Sequence, residues 1–279
     1  MNPHTRQPVS PQSIISSLWS NKQLILQMTK REVIGRYRGS ALGLAWSFLN
    51  PILMLSVYTF VFSVVFKAKW STSNVQSESN QAIFAIMLFV GLIIHGIFAE
   101  VLNKAPSLII SNSNYVKKVI FPLEILPFIS MGTAFFHAII STVVLLVAQT
   151  IFIGLPPITA FLIPIIFIPL MILTIGLALF LASIGTYLRD VAQTIGIVTT
   201  IMLFLSPVFF PISALPKEFQ PFILANPLTF IIEQARLVLV EGILPDFLGL
   251  LVYFISALAV AWFGYAWFQI TRKGFSDVL

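Results

Sequence analysis

The chain has no cysteine in 279 residues, which excludes disulfides and cysteine metal sites. It is also poor in charge. Charged residues make up 9% of the sequence, against about 25% in an average soluble domain. The first forty residues are polar and basic with no early apolar core, so a cleavable signal peptide is not expected. No G-x-x-x-x-G-K-[ST] pattern occurs, so ATP binding in the P-loop manner is not expected of this chain. HExxH and GxSxG are missing as well. Paired carboxylates suited to metal and phosphate are scarce, because the cytoplasmic loops offer only Glu124 and Asp190 beside Glu32 and Asp277. An enzyme of lipid-linked sugar assembly is therefore poorly supported, and neither a bound cofactor nor a nucleic-acid partner is expected.

Apolar residues dominate instead. They form 58% of the sequence, and the mean hydropathy is +0.96. The runs are long and continuous, unlike the roughly 10-residue alternating stretches of a membrane barrel. Backbone groups in lipid must then be satisfied within helices, so the sequence reads as an all-α integral membrane protein. Six stretches approach the roughly 20 residues that a crossing needs. They run from Leu42 to Phe66, Ala82 to Leu102, Pro127 to Ile153, Ile158 to Tyr187, Val191 to Phe210 and Phe247 to Ile270. Gly154, Leu155, Pro156 and Pro157 make a tight link between the third and fourth, and Pro164 and Pro169 are expected to bend the fourth. The stretch from Ile212 to Asp246 is broken by Pro216, Pro221, Pro227 and Pro245. Re-entrant half-helices before the last span fit it, and an amphipathic surface loop is the alternative.

Lys and Arg collect on one side of the spans. Arg6, Lys22, Lys30, Arg31, Arg36, Arg38, Lys104, Lys117, Lys118, Arg189, Arg272 and Lys273 fall on one face, and Lys67, Lys69, Lys217 and Arg236 on the other. Both termini are thus expected to be cytoplasmic. One domain covers 1–279: a cytoplasmic amino-terminal segment (1–40), a six-span core (41–271) and a cytoplasmic tail (272–279). Residues from about Ser20 to Arg38 read as a helix on the inner leaflet, with Trp19, Leu26, Val33 and Tyr37 on one face and basic groups toward anionic headgroups. Gly39-Ser40 ends it, and Trp46 suits the membrane interface.

Ion-coupled carriers place ionisable groups deep in their spans. Here His95 and His137 are the main candidates, with Glu100 near the cytoplasmic end of the second span. A hydrogen-bonded structural role outweighs a functional one for either histidine, and no carboxylate chain is present to relay protons. No internal repeat is evident, which counts against an inverted-repeat carrier. Aromatic residues are plentiful, with 26 Phe, 6 Tyr and 5 Trp. Tyr58, Phe62 and Phe66 recur at i, i+4 and i+8 on one face of the first span, and Phe204, Phe209 and Phe210 cluster at the outer end of the fifth. Such rings suit a conduit for sugars, whose apolar faces stack on them. Lipid-facing filler is the alternative for any one of them.

Several motifs together resemble the permease subunits of ATP-binding-cassette exporters for cell-surface polysaccharides: O-antigen, capsule and teichoic acid, of the type-two export fold. They are RYRGSALGLAWSFLNP (Arg36 to Pro51), NYVKKVIFPLEILP (Asn114 to Pro127), the turn Tyr187-Leu188-Arg189-Asp190, SPVFFP (Ser206 to Pro211), and NPL (Asn226 to Leu228) followed by Arg236. The resemblance implies a homodimer of six-span subunits in the bacterial inner membrane. Each subunit would dock one cytoplasmic ABC ATPase, where ATP and Mg are bound, and a polyprenyl-diphosphate-linked polysaccharide would be the cargo. It further implies that Arg36, Arg38, Ser40, Leu42, Gly43 and Trp46 belong to the interface helix and channel mouth. Lys117, Lys118, Phe121, Pro122, Glu124, Arg189 and Asp190 would couple to the ATPase, and Pro211, Asn226, Pro227 and Arg236 would form the outer gate. A permease for a drug or small lipid shares the same expected fold, and a stand-alone channel is disfavoured by the basic loops.

Overall fold

Lipid offers no partners for backbone N–H and C=O groups, and every regular element among the described residues is helical. The architecture comes from a computed structural model, which describes residues 9–61, 79–117 and 121–279. Nine α-helices of ten or more residues organise these residues: α1 (Pro11–Ser20), α2 (Lys22–Tyr37), α3 (Trp46–Tyr58), α4 (Ser79–Lys104), α5 (Leu126–Phe152), α6 (Ile163–Tyr187), α7 (Val191–Phe204), α8 (Pro227–Arg236) and α9 (Phe247–Thr271). Phe62, Phe66, Lys67, Lys69, Lys118 and Arg6 lie outside the described residues.

Among the described residues, five helical stretches are long and apolar enough to cross a membrane: Gly43–Val61, Ala82–Ser111, Leu123–Phe152, Ile158–Tyr187 and Phe247–Val278. They correspond to five of the six expected spans. The fifth expected span, Val191 to Phe210, is shorter than its hydropathy suggests. Its helix α7 has 14 residues and stops at Phe204, reaching about 21 Å against a hydrocarbon layer of about 30 Å. The cause is local. Pro207 has no N–H to give and its ring opposes helix continuation. The Ser206 hydroxyl bonds back to the Met202 carbonyl at 2.5 Å, and residues 205–211 turn away.

Packing is centred on α4. Its apolar window is 78% buried, against 17% for the windows of the first and last spans, so α4 is the inner helix of the bundle. It touches α5, α6, α7 and α8, and Leu88 and Val101 have no exposed surface. The outer pair α6 and α9 run along each other. Small residues set that approach, since a Cβ placed on Gly176 would come within 2.6 Å of the Ala261 Cα, and one on Gly264 would strike the Gly176 carbonyl. Pro164 lies in the first turn of α6 and starts it, while Pro169 is buried inside it.

The segment between α7 and α9 is not a surface-lying loop. It holds a short turn of helix at Gln220–Leu224, then α8, then a wide turn at Leu237–Glu241. Leu228, Ile231, Ile232, Ala235 and Val238 are fully buried, against α4 and α6.

The amino-terminal segment is helical as expected. Asn21 breaks it into α1 and α2, with φ −105° and ψ 12°, and its side-chain amide donates to the Ser17 carbonyl. Trp19 and Leu26 are exposed, whereas Val33 is buried and Leu24, Ile25 and Met28 pack into the core. Gly132 of α5 lets α2 lie close, because a Cβ there would meet Thr29 at 2.8 Å.

Candidate functional site

At the end of α2 the chain makes a tight turn. Gly39 (φ 85°) and Gly43 (φ 51°) adopt left-handed backbone that disfavours a side chain. Ser40 folds back, its hydroxyl donating to the Tyr37 carbonyl at 3.0 Å. A short helical turn, Gly43–Ala45, then leads into α3. Arg36, Arg38, Ser40 and Leu42 are exposed, with Gly43 and Trp46 half-buried.

This turn borders a cavity of about 330 Å³ between α2, α3, α4 and α5. Its lining mixes polar groups (Arg36, Tyr37, Ser47, Asn50, Glu100, His137, Ser141) with rings and apolar side chains, including Tyr58, Phe89 and Met54. The Arg36 guanidinium donates to Glu100 Oε1 at 2.5 Å. His137 lies between, with Nδ1 3.1 Å from Glu100 Oε2 and Nε2 3.2 Å from the Tyr37 hydroxyl. Burial pushes the Tyr37 phenol up, so it keeps its proton and serves as a donor. The arrangement that satisfies most groups has Tyr37 O–H donating to Nε2 and Nδ1–H donating to Glu100, with the tautomer assigned from its partners. One carboxylate thus gathers an arginine from the amino-terminal helix and a histidine from α5. His95 plays the plainer part, with Nε2 donating to the Thr199 carbonyl at 2.9 Å.

Above the cavity the rings continue. Tyr58 lies 6.5 Å from Phe209, and Phe209 stacks on Phe204 at 5.5 Å. Tyr58, Phe204 and Phe209 therefore form a chain of rings from the cavity to the turn after α7, and Phe210 next to them is half-buried.

The motifs SPVFFP and NPL meet in space. The Asn226 amide donates to Ser206 Oγ at 2.9 Å and to the Leu205 carbonyl at 3.2 Å. Its Oδ1 accepts from Leu228 N–H at 2.9 Å, capping α8, and Pro227 occupies the first turn, where its missing N–H costs nothing. Arg236 is buried, with 2% of its side chain exposed. It donates to the Val208 carbonyl at 3.2 Å, to the Met87 carbonyl at 3.1 Å and to Glu233 at 2.8 Å. Arg236 therefore ties the turn after α7 to α4 and α8. Pro211 closes that turn, half-buried and extended, with φ −75° and ψ 148°.

At the opposite end, Lys117 terminates the short helix Ser113–Lys117. Phe121 stacks on Tyr115 at 4.4 Å. Phe121 and Glu124 are buried and Pro122 is half-buried, so two of these residues hold their loop from within. Glu124 accepts from Ser17 Oγ at 2.9 Å and from Arg272 at 2.8 Å. Arg189 and Asp190 lie exposed in the turn between α6 and α7. Sequence reasoning missed Arg272, which counted there only as tail charge, and the Tyr37 hydroxyl, which was assigned to the lipid face. No local pattern marks either, since their partners lie about a hundred residues or more away.

A bundle of long apolar helices, with a polar cavity at one end and a chain of rings leading from it, has the build of a membrane permease. The chain belongs to the family described as ABC-2 type transporter, which matches residues 23–240. It is similar to the O-antigen export system permease protein RfbA of Myxococcus xanthus, 27% identical over 266 residues that cover 95% of this chain and 98% of the relative. An RfbA of Klebsiella pneumoniae is 24% identical over 92% of this chain and 95% of its own. The polysialic acid transport protein KpsM of Escherichia coli is 24% identical over 78% of this chain and 80% of its own.

Proposed function

We propose that this chain is the membrane-spanning, channel-forming subunit of an ABC exporter that carries a lipid-linked, O-antigen-like polysaccharide across the bacterial inner membrane. The observation that carries the reading is its similarity, over nearly the full length of both chains, to permeases named for O-antigen export. ATP and Mg are bound and hydrolysed in a separate cytoplasmic subunit. Two permeases and two ATPase subunits make the working unit. In each permease, α7 and the turn after it act as the sixth crossing, and α8 belongs to a re-entrant element that forms the outer gate with Pro211, Asn226, Pro227 and Arg236. Both termini face the cytoplasm, and α1 and α2 lie at the inner leaflet.

The physical chemistry suits the cargo. A polyprenyl diphosphate has a lipid tail that stays in the bilayer and an anionic head that needs arginine. Arg36 lines the cavity and Arg38 is exposed two residues further on, and the Arg36–Glu100 pair, with 42% and 24% side-chain exposure, is open enough to exchange partners. The glycan then passes the rings of Tyr58, Phe209 and Phe204, which bind it weakly and repeatedly so that it slides. The loop around Pro122 and the Arg189–Asp190 turn receive the stroke of the ATPase.

The test is genetic and chemical. Deleting the gene should leave finished polymer inside the cell, and re-expression should move it to the surface. Replacing Arg36 and Arg38 together with glutamine should cut export about tenfold or more at normal expression, the effect expected when charge-assisted phosphate contacts are lost. Normal surface polymer in the deletion strain refutes the reading, and unchanged export in the double variant refutes the role of the two arginines.

A further inference from the structure

We infer that the carboxy-terminal turn, Thr271 to Phe275, is a bracket that locks the loop at 121–125 and the turn at 187–190 into one body, with Arg272 as its positioning residue. The inference rests on the proposed reading of those two segments as the surfaces that receive force from the ATPase.

The turn follows directly on α9 as a tight helical piece, Arg272–Gly274, and then Phe275–Val278. On one side Arg272 makes two separate contacts. It donates to Glu124 Oε2 at 2.8 Å and to the Phe121 carbonyl at 3.0 Å. The guanidinium fork is what permits both at once. The other Glu124 oxygen accepts from Ser17 Oγ at 2.9 Å, so α1 is tied to the same carboxylate. The two charged side chains keep only 13% and 10% of their surface exposed, which limits the competition from water.

On the other side the same turn holds the end of α6. The Tyr187 hydroxyl donates to the Thr271 carbonyl at 2.7 Å, and the Ser183 and Thr271 hydroxyls share a hydrogen bond at 2.6 Å. The Tyr187 ring packs 5.9 Å from Phe275, which is itself fully buried and lies 5.4 Å from Phe268. Gly274 leaves room for this fit, because a Cβ there would strike the Tyr187 hydroxyl. Tyr187 is two residues before Arg189, so whatever moves that exposed turn moves the bracket.

A tail that merely ended a helix would carry its arginine and phenylalanine in different surroundings. Arg272 would be solvated and Phe275 would have no reason to be buried between Tyr187 and Phe268. Here both are fixed, and each binds a segment far away in sequence. Sliding one cytoplasmic segment against the other would break the Arg272–Glu124 pair or expose Phe275. A push delivered to either segment is therefore shared between α1, α6 and α9 rather than absorbed at one loop. Arg272 needs no contact with ATP, cargo or ATPase to act in this way.

The experiment uses the full permease co-purified with its ATPase subunit and reconstituted in lipid, compared with export in cells. Three variants suffice: Arg272→Gln, Glu124→Gln, and the exchanged pair Glu124→Arg with Arg272→Glu. For Arg272→Gln, we expect co-purification at the wild-type level, ATP hydrolysis within about twofold, and export reduced about tenfold, equivalent to about 1.4 kcal/mol of lost coupling, and Glu124→Gln should lower export at least as far. The exchanged pair restores the ion pair but not the Phe121 and Ser17 contacts, so it should recover part of that export. Should Arg272→Gln not accumulate in the membrane, Arg272→Lys carries the test. One ammonium can hold Glu124 but not the Phe121 carbonyl as well, so export should fall about threefold with hydrolysis intact. Wild-type export in these variants overturns the bracket. So does a parallel fall of export, hydrolysis and co-purification that the exchanged pair does not reverse, because that is a docking or folding defect. Failure of the proposed function itself is read elsewhere, in a wild-type chain that exports no polymer or works without an ATPase.

Discussion

Replacing Arg236 with methionine tests how the turn after α7 is held. The side chains have similar volume, so the change removes donors more than bulk. The bonds to Met87, Glu233 and Val208 are lost, and they are not equal. The Met87 carbonyl sits inside α4 and keeps its own helical partner, so its loss is small. Glu233 retains 38% exposure and can be solvated, which discounts that pair. The Val208 carbonyl is different. Val208 is fully buried in a turn without a helical ladder, and removing its donor leaves a buried acceptor unpaired, at about 1–3 kcal/mol. With about 1 kcal/mol for the other two together, the turn loses about 2–4 kcal/mol, or roughly 30- to 900-fold in its opening equilibrium. Hydrogen exchange of the purified protein in lipid reads this directly, as faster exchange of the amides at 205–211 while α5 and α9 stay protected. Equal protection of that turn in Arg236→Met would refute the argument, and so would uniform loss of protection across the bundle, which would make Arg236 a global rather than a local tie.

Two further outcomes follow from the packing and the caps. Gly264→Leu should prevent α6 and α9 from closing, a cost of about 3 kcal/mol or more given that even a single Cβ meets the Gly176 backbone. Thermal unfolding should show a lower midpoint, with Gly35→Ala as a control because no atom lies within 4 Å of a Cβ there. Asn226→Ala removes the α8 cap and the bonds to Leu205 and Ser206. About 1 kcal/mol of local stability should go, with Asn226→Asp losing less because it still caps, and exchange at Leu228 and Thr229 reports the difference.

The helices of this fold are legible in the sequence to different degrees. The third and last spans and the Ile158–Tyr187 stretch are found nearly to the residue, because long apolar runs bounded by glycine, proline or charge leave little choice. The end of α7 is misplaced because hydropathy does not distinguish a helix from an equally apolar turn. Pro207 was the available signal. The amino-terminal helix is also legible, but its break at Asn21 is not, since no proline or glycine marks it. The motifs around Ser206, Asn226 and Arg236 stand out singly, yet their joining is a matter of three-dimensional distance. The same holds for Arg36 with Glu100 and for Glu124 with Arg272, pairs that unite segments without any shared periodicity.

The brevity of α7 also bears on the lipid beside it. A rod of about 21 Å set against a layer of about 30 Å produces hydrophobic mismatch, which a membrane relieves by thinning or by admitting water locally. The backbone of 205–211 would be intolerable to acyl chains alone, and the Asn226 amide and the Arg236 guanidinium stand in for the solvent it lacks. With α7 as a crossing, as proposed, the insulating layer beside it is shallower than beside the longer helices.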